Sequence, residues 1–126
     1  MSVEPSTHPL AGTNLTILVG VLSRHAELRT LPSGDELVAL ELTVRPDDGP
    51  AESVPVAWPS PTAAASSWRA GQELVVTGRV RRRYFRAGGS TQSRTEVVAD
   101  RVVPTRRTAA AAKAVEVAVA SVTERL

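Results

Sequence analysis

Several stretches of the chain show the patterns of apolar and polar residues that are typical of β-strands. In the stretch ELVALELTVR, Val38, Leu40, Leu42 and Val44 recur at every second position, and a period of two places them on one face of a half-buried strand. The stretch NLTILVGVLS is apolar on both faces, which is typical of a fully buried strand. Turn residues separate such stretches. Five strands are predicted, over residues 14–23, 36–45, 52–58, 72–85 and 94–103.

A short helix is predicted between the third and fourth strands, over residues 60–71. Ser60 is suited to cap it, Pro61 to occupy its first position and Gly71 to end it, while alanines fill its interior. A hairpin loop rich in glycine and serine is predicted over residues 86–93, between the fourth and fifth strands.

The last segment, residues 105–126, is rich in alanine and predicts a C-terminal helix. Val115, Val119, Val122 and Leu126 fall on one stripe of that helix. We expect this stripe to pack on the strands or on another copy of the chain. Valine also alternates with other residues within the segment, so a strand is the alternative, but the helix propensity of alanine favours the helix.

The order of these elements predicts an all-β fold class. Strand, strand, strand, helix, strand, strand is the order of the OB-fold, a five-stranded Greek-key barrel that often binds oligonucleotides or oligosaccharides. We expect a disordered lead-in over residues 1–12, an OB-fold domain that binds single-stranded nucleic acid over 13–104, and the Ala/Val-rich helix over 105–126.

Positive charge is concentrated in one part of the chain. The net charge of the 126 residues is only +2. Residues 1–78 carry four arginines and nine acidic residues, a net charge of −5, whereas residues 79–107 carry nine arginines against Glu96 and Asp100, a net charge of +7. Such segregation indicates a polyanionic partner more strongly than the total charge does.

The sequence lacks the signs of an enzyme, a metal site or a membrane protein. It contains no cysteine, its two histidines stand far apart at positions 8 and 25, and it has no nucleotide-binding or nucleophile motif. No apolar run reaches the roughly 18 residues of a membrane span, and the N-terminus lacks the basic region of a secretory signal. We expect a non-enzymatic protein without metal, cofactor, membrane or small-molecule substrate, located with the nucleoid in the cytoplasm.

The most basic strand carries the strongest candidates for contact with nucleic acid. Arg79, Arg81, Arg83 and Phe85 share one face by a period of two. Successive side chains on this face lie about 6.5–7 Å apart. This distance is close to the spacing of successive phosphates along a single strand of nucleic acid. Proteins hold single strands with cations that follow the phosphates and aromatic rings that stack on bases. The alternative is a solvated charged face, but no acid lies within residues 79–85 to relieve the repulsion among these arginines.

Further candidates flank this strand. Arg86 and Arg94 bracket the predicted hairpin loop, and Arg45 adjoins the turn RPDDGP as a weaker phosphate ligand. Trp58 is either a stacking platform or a core residue. The candidate nucleic-acid-binding residues are therefore Arg45, Trp58, Arg79, Arg81, Arg83, Phe85, Arg86 and Arg94.

Two aromatic residues are expected to serve the structure instead. Trp68 lies near the end of the predicted short helix and is expected in the core. Tyr84 faces away from the arginine row, together with Arg82, and is expected to be partly buried or to lie at a subunit contact.

Three stretches of the chain resemble the bacterial single-stranded DNA-binding protein family. Its members begin with an Asn before an Ile-Leu-Val-Gly strand, a Leu-Arg stretch and a Pro-x-Gly turn, as in NLTILVGVLSRHAELRTLPSGDELVALELTV. The stretch WRAGQELVVTGRVRRRYF resembles the family's helix end, its Gly and the strand that follows, and TEVVADRV resembles the family's last barrel strand. The matching positions at the opening are Asn14, Ile17, Leu18, Val19, Gly20, Glu27, Leu28, Arg29, Pro32 and Gly34. The resemblance covers roughly residues 13–103 and implies a structural or subunit-interface role for Asn14.

Departures from the family indicate a short, divergent paralogue. The turn RPDDGP is shorter than the family's hairpin loop and has no aromatic residue, Ser53 stands where a Trp usually follows an acid, and the Ala/Val helix replaces a flexible acidic tail. The resemblance implies sequence-independent binding of single-stranded DNA in replication, repair or recombination by a homo-oligomer, either a dimer or a tetramer. Two alternatives stay open, an OB-fold scaffold for protein interactions that has lost DNA stacking, and RNA binding.

Overall fold

The structure, a computed structural model, describes residues 12–61, 65 and 67–126. This part of the chain forms six strands and one helix. They are β1 (Thr16–Leu22), β2 (Glu27–Thr30), β3 (Glu36–Val44), β4 (Glu52–Trp58), β5 (Glu73–Ala87), β6 (Ser90–Pro104) and α1 (Thr108–Thr123). The predictions of a mainly β structure and of a C-terminal helix are confirmed.

Hydrogen-bonded pairing links five of the strands in a closed circuit. β1 pairs with β5, β5 with β6, β6 with β4, β4 with β3, and β3 again with β1 at Val21 and Leu22. Among the pairings of the described strands, only that of β4 with β6 is parallel. β2 lies outside the circuit and pairs with β3. Because the pairing returns to its starting strand, the inward faces of the five strands enclose one core.

The core is mainly aliphatic, and alternate residues of β3 contribute to it as the sequence pattern predicts. Val38, Leu40 and Leu42 are all almost fully buried. The rings of Trp58 and Trp68 stack within the same core, with centroids 5.6 Å apart and planes 15° from parallel. Stacked aromatic pairs add roughly 0.5–1.5 kcal/mol to the free energy gained by burial alone. The prediction that Trp68 is a core residue is confirmed.

β2 is the strand that the sequence pattern does not predict. Its residues, ELRT, are all exposed, so they lack the apolar alternation that marks a strand packed on a core. Their conformation comes from pairing with β3. The turn between the two strands is closed by the Leu31 N–H, which donates to the Asp35 carbonyl at 2.7 Å. The structure therefore has six strands where five are predicted.

The helix predicted between the third and fourth predicted strands is not found in the described residues. Of residues 60–71, positions 62–64 and 66 lie outside the described residues. The Trp68 N–H donates to the Ala65 carbonyl at 3.1 Å, a bond between residues three apart that belongs to a tight 3₁₀ turn rather than to an α-helix. Both side chains are buried in the core, and we attribute the turn to that anchoring.

The C-terminal helix packs on the strands through its alanines rather than its valines. Ala111, Ala114 and Ala118 are its buried residues, and α1 contacts β5 and β6. Their small side chains let the helix lie close to the strands. Of the valine stripe, Val115 and Val122 are half-buried, whereas Val119 is 43% exposed and Leu126 is 87% exposed, so the stripe does not pack on the strands along its whole length. Contact of the stripe with another copy stays a prediction.

β5 and β6 form a long hairpin that extends beyond the closed circuit. Its turn is the pair Gly88 and Gly89, with φ angles of 58° and 83°, and two positive φ values are typical of the two-residue type I′ turn. The predicted loop over residues 86–93 is therefore wrong, because both strands continue up to these glycines. β1 pairs with β5 no further than Gly78. Residues 79–96, named the arginine hairpin below, thus lie outside the circuit.

Candidate nucleic-acid interface

A groove of about 370 Å³ lies on the outer side of the strands. Ala39, Ala57 and Val98 lie side by side across it, since Ala39 pairs with Ala57 and Ala57 with Val98. Alternation along each strand points these three side chains away from the core, which takes up their neighbours. The centre of the groove is therefore apolar, and its small side chains leave room for a ligand.

Charged side chains line both sides of this groove. One side comes from the arginine hairpin, and the other from β2, β3 and the segment before β2. The lining arginines are Arg24, Arg29, Arg81, Arg83 and Arg94, and the lining glutamates are Glu27, Glu41 and Glu96. With five arginines against three glutamates, the groove carries a net positive charge that suits an anionic ligand.

Glu96 holds two arginines of the hairpin in place. It stands opposite Arg81 in the β5–β6 ladder, and its side chain is only 8% exposed. Arg81 Nη2 donates to Glu96 Oε2, and Arg83 Nε lies 3.5 Å from the same oxygen. A buried carboxylate without such partners would destabilise the fold. The acid that relieves the arginine row therefore comes from the neighbouring strand, β6.

Two ion pairs line the opposite side of the groove, and their side chains are exposed except that of Glu41, which is half-buried. Arg29 lies 2.7 Å from Glu27, and Arg24 lies 3.3 Å from Glu41. The hydrogen bond from Arg29, and then the positive charge of Arg29, lower the pKa of Glu27. Exposed pairs contribute little to stability, so these four residues matter chiefly for the pattern of charge that a ligand meets.

Five of the eight predicted site residues share the groove-side face of the arginine hairpin. Arg81, Arg83 and Arg94 line the groove, and Arg83 stands directly opposite Arg94 in the ladder. Phe85 follows on the same face, half-buried, with Arg83 Cζ 5.5 Å from the centroid of its ring. Arg79 shares this face by alternation, is exposed, and stands opposite Val98. The structure thus brings the predicted arginine row and Phe85 together.

Arg86 and Arg45 lie elsewhere. Because β5 continues without a break, Arg86 falls on the opposite face of the hairpin, where its Nη2 donates to the Gly89 carbonyl at 2.9 Å. Side chains alternate between the two faces of β5, and this alternation determines the face on which Arg86 lies. Its position next to the turn does not. Arg45 follows the end of β3 and is exposed, but it does not line the groove.

Trp58 belongs to the core rather than to the groove. Its side chain is 3% exposed, and its ring stacks on that of Trp68. Its indole Nε1 has no hydrogen-bond partner among the described residues. A base has no access to a ring so deeply buried, so the structure supports the core interpretation of Trp58 and offers Phe85 as the aromatic side chain of the groove-side face.

Two further residues, Asn14 and Tyr84, lie at or within the arginine hairpin. The amide of Asn14 donates to the Val80 carbonyl at 2.7 Å and accepts the Val80 N–H at 2.9 Å. These bonds agree with the structural alternative for Asn14, and a subunit-interface role stays a prediction. Tyr84 is 66% exposed, so the expectation that it is partly buried is wrong. A subunit contact at Tyr84 stays a prediction.

Sequence reasoning misses Glu96 and the charged residues of the opposite side. For Glu96 a signal exists: counting outward from Gly88 and Gly89 as a two-residue turn places Arg81 opposite Glu96. For Arg24 and Glu41 no such signal exists, because β2 lacks the alternation that would have revealed a strand beside β3.

The described residues offer neither a membrane-spanning helix nor a metal site. No helix among them is long and apolar enough to cross a membrane. They contain no group of three or more His, Cys, Asp or Glu side chains placed to hold a metal ion.

Comparison with known proteins supports the resemblance seen in the sequence. No curated protein matches the chain. The model of the family described as "Single-strand binding protein family" matches residues 13–105. These residues include all six strands and every residue that lines the groove. The chain therefore belongs to the single-strand binding protein family.

Proposed function

We propose that this protein binds single-stranded DNA, without enzymatic activity and with little sequence preference, along the groove and the groove-side face of the arginine hairpin. Its family supports single-stranded DNA as the ligand. The observation that carries the proposal is the row of Arg81, Arg83 and Arg94 along one side of the groove, with Phe85 beside it. In this proposal the closed circuit of five strands is the OB-fold barrel.

The arginines would hold phosphates and Phe85 would stack on a base. Arg79 and Arg94 have no carboxylate partner among the described residues, so their charge is available to the ligand. Arg81 and Arg83 share Glu96, but a guanidinium has five N–H donors and each therefore keeps donors for a phosphate. Neither kind of contact reads a base edge, which makes binding largely independent of sequence.

Fluorescence anisotropy of a labelled dT oligomer of about 35 nucleotides tests the proposal. We expect the protein to prefer this oligomer over a duplex of equal length. Arg94→Ala should weaken binding, because it removes a groove cation without a partner. Lys113→Ala, which removes an exposed positive charge from α1, is the matched control and should bind as the wild type does. No binding at low salt, or equal binding of the duplex, would refute the proposal.

We further propose that the chain forms a homo-oligomer, either a dimer or a tetramer. Leu15, Ile17, Val19 and Val21 alternate along β1 and the residues before it, each between 36% and 50% exposed. A row of exposed apolar side chains of this kind marks a protein–protein contact.

Analytical ultracentrifugation tests this assembly. The wild-type protein should sediment as more than one chain, and Val19→Lys should shift it towards the monomer. Leu28 on β2 has the same exposed fraction as Val19, 50%, so Leu28→Lys is the matched control and should leave the assembly unchanged. A wild-type protein that sediments as a monomer would contradict the proposal.

The burial of Trp58 favours a second candidate function, an OB-fold scaffold for protein interactions that has lost base stacking. The affinities of the wild-type protein and of Phe85→Ala for dT together separate the two candidates. If the protein stacks bases, this variant should lose about fivefold or more in affinity for dT, since a stacked base contributes at least about 1 kcal/mol. If the protein is a scaffold, the wild type itself should not bind dT. Competition by an RNA oligomer of equal length shows whether RNA is an equivalent ligand.

DNA replication, repair or recombination is the proposed process, because each exposes single strands. We place the protein with this ligand at the nucleoid, in the cytoplasm. Recruitment of a fluorescent fusion to sites of DNA damage would support repair, and a uniform distribution before and after damage would contradict it.

A further inference from the structure

The side of the arginine hairpin that faces away from the groove carries a second set of cations and an aromatic ring. Arg82, Tyr84 and Arg86 occupy alternate positions of β5, because the pairing of β5 with β6 is continuous from Gly78 to Ala87. These three residues are named the reverse face. On this face Tyr84 lies between Arg82 and Arg86, and it is 66% exposed.

The reverse face carries no negative charge. Opposite it on β6 stand Thr91, Ser93 and Thr95, which have hydroxyl groups and no carboxylate. Arg82 has no hydrogen bond or ion pair within the described residues, and Arg86 donates to the carbonyl of Gly89. On the groove side, by contrast, Glu96 contacts two arginines. The positive charge of the reverse face is therefore available to an anionic ligand.

We propose that the reverse face binds a second segment of single-stranded DNA, so that DNA lies along both sides of the arginine hairpin. The kind of ligand rests on the proposed function. Cations beside an exposed aromatic ring suit a single strand, because each nucleotide offers a phosphate to a cation and a base to a ring. Successive members of the face lie about 6.5–7 Å apart along the strand. The opposing hydroxyl groups donate to phosphate or sugar oxygens.

This arrangement has a consequence for stoichiometry. Two short oligomers fill the two faces of one hairpin independently, because each face has its own cations and its own ring. A long oligomer passes around the turn at Gly88 and Gly89 and fills both faces of the same hairpin. The wild-type protein should therefore bind about two oligomers of eight nucleotides per chain, a length within the range that one OB-fold covers, and fewer long oligomers.

Photocrosslinking of the full-length protein tests the proposal. The probe is a dT octamer with one 5-iododeoxyuridine in place of thymidine, a base that crosslinks to aromatic side chains stacked on it. Peptide mapping by mass spectrometry then locates the crosslink. We expect crosslinks at both Tyr84 and Phe85, and titration calorimetry should give two octamers per chain.

Substitutions on each face test the two binding sites separately. Arg82→Ala combined with Tyr84→Ala should reduce the stoichiometry to about one octamer per chain and lower the affinity for a dT oligomer of about 35 nucleotides by tenfold or more. Tyr84→Phe keeps the ring and should retain both sites. Phe85→Ala should keep the crosslink at Tyr84. Thermal unfolding of each variant confirms that the fold is intact.

Each outcome distinguishes this inference from the proposed function. A crosslink at Phe85 alone, with one octamer per chain, overturns the proposal that the reverse face binds DNA and leaves the proposal for the groove standing. A crosslink at Tyr84 alone supports the reverse face and overturns the groove as the binding surface. If neither octamer nor long oligomer binds, both proposals fail.

Discussion

At the scale of single residues, Glu96 places a negative charge at the centre of a positive surface, where it has two opposing effects. It holds Arg81 and Arg83 in fixed positions, which reduces the conformational entropy that they lose when they bind a phosphate. Its charge also repels that phosphate, and its burial limits screening by salt. Removing the charge while keeping the shape of the side chain separates these effects.

Glu96→Gln should destabilise the fold and strengthen DNA binding at low salt. The free energy of unfolding should fall by about 1.5 kcal/mol, because hydrogen bonds to a charged group are replaced by weaker ones. Affinity for dT should rise, because the nearest negative charge has gone. Urea unfolding and anisotropy measure the two quantities.

The control for Glu96 is Glu116→Gln, which removes an exposed negative charge from α1 and should change neither quantity. Weaker DNA binding by Glu96→Gln than by the wild type would contradict the prediction, and would mean that holding the arginines matters more than repulsion.

At the scale of elements, Gly78 joins the closed circuit to the arginine hairpin. The β5–β6 register shifts between Thr77 and Gly78, because Thr77 pairs with Arg101 and Gly78 with Ala99. The extra residue on β6 is Asp100. Such a bulge bends a strand and increases its twist, so this one sets the direction in which the hairpin leaves the circuit.

Gly78→Ala should lower the free energy of unfolding by about 3 kcal/mol, at the upper end of the usual cost of overpacking. A Cβ at this position would lie 2.9 Å from Ala99 Cα and closer still to the carbonyl oxygen of Val98, and neither backbone atom can move without breaking the ladder. Gly49→Ala is the control, because its nearest neighbour is Pro46 Cγ at 3.5 Å. It should change stability by less than about 0.5 kcal/mol. Equal urea midpoints for the two variants would contradict this prediction, because they would mean that β5 and β6 can move apart at Gly78 at little cost in stability.

The elements that sequence predicts well are those whose pattern reflects burial. The alternation of Val38, Leu40 and Leu42 marks β3 because those side chains enter the core, and alanine marks α1 through its propensity. β2 escapes prediction because it pairs with β3 while all its residues stay exposed. Trp58 stays ambiguous because a residue at the end of a strand has no further alternation to show which face it takes. Glu96 is missed because partners across a ladder are far apart in sequence.

At the scale of the whole molecule, folding gathers arginines from distant parts of the sequence around one groove. Arg24 and Arg29 come from the acidic first part of the chain, while Arg81, Arg83 and Arg94 come from its basic part. Three glutamates line the same groove, so its surface has a net positive charge but also carries negative groups. A surface with few aromatic side chains and several cations should bind DNA mainly by releasing counterions.

The affinity for dT should therefore fall steeply with salt. On the groove side alone, about four phosphate contacts, by Arg79, Arg81, Arg83 and Arg94, contribute about −3 to the slope of the logarithm of the association constant against that of the salt concentration. Arg94→Ala should reduce the magnitude of the slope by about 0.7, the share of one phosphate contact. Anisotropy titrations at several NaCl concentrations measure it. Tight binding that persists at high salt would contradict this account.

The stacked pair of Trp58 and Trp68 makes the protein's own fluorescence a selective reporter. These are the chain's two tryptophans, and both are buried in the core with their rings 5.6 Å apart. Their emission should be blue-shifted in the native protein and move to longer wavelength when the core opens. A ligand in the groove or on the arginine hairpin would not stack on either indole. Intrinsic emission therefore follows unfolding, and a label on the DNA is needed to follow binding.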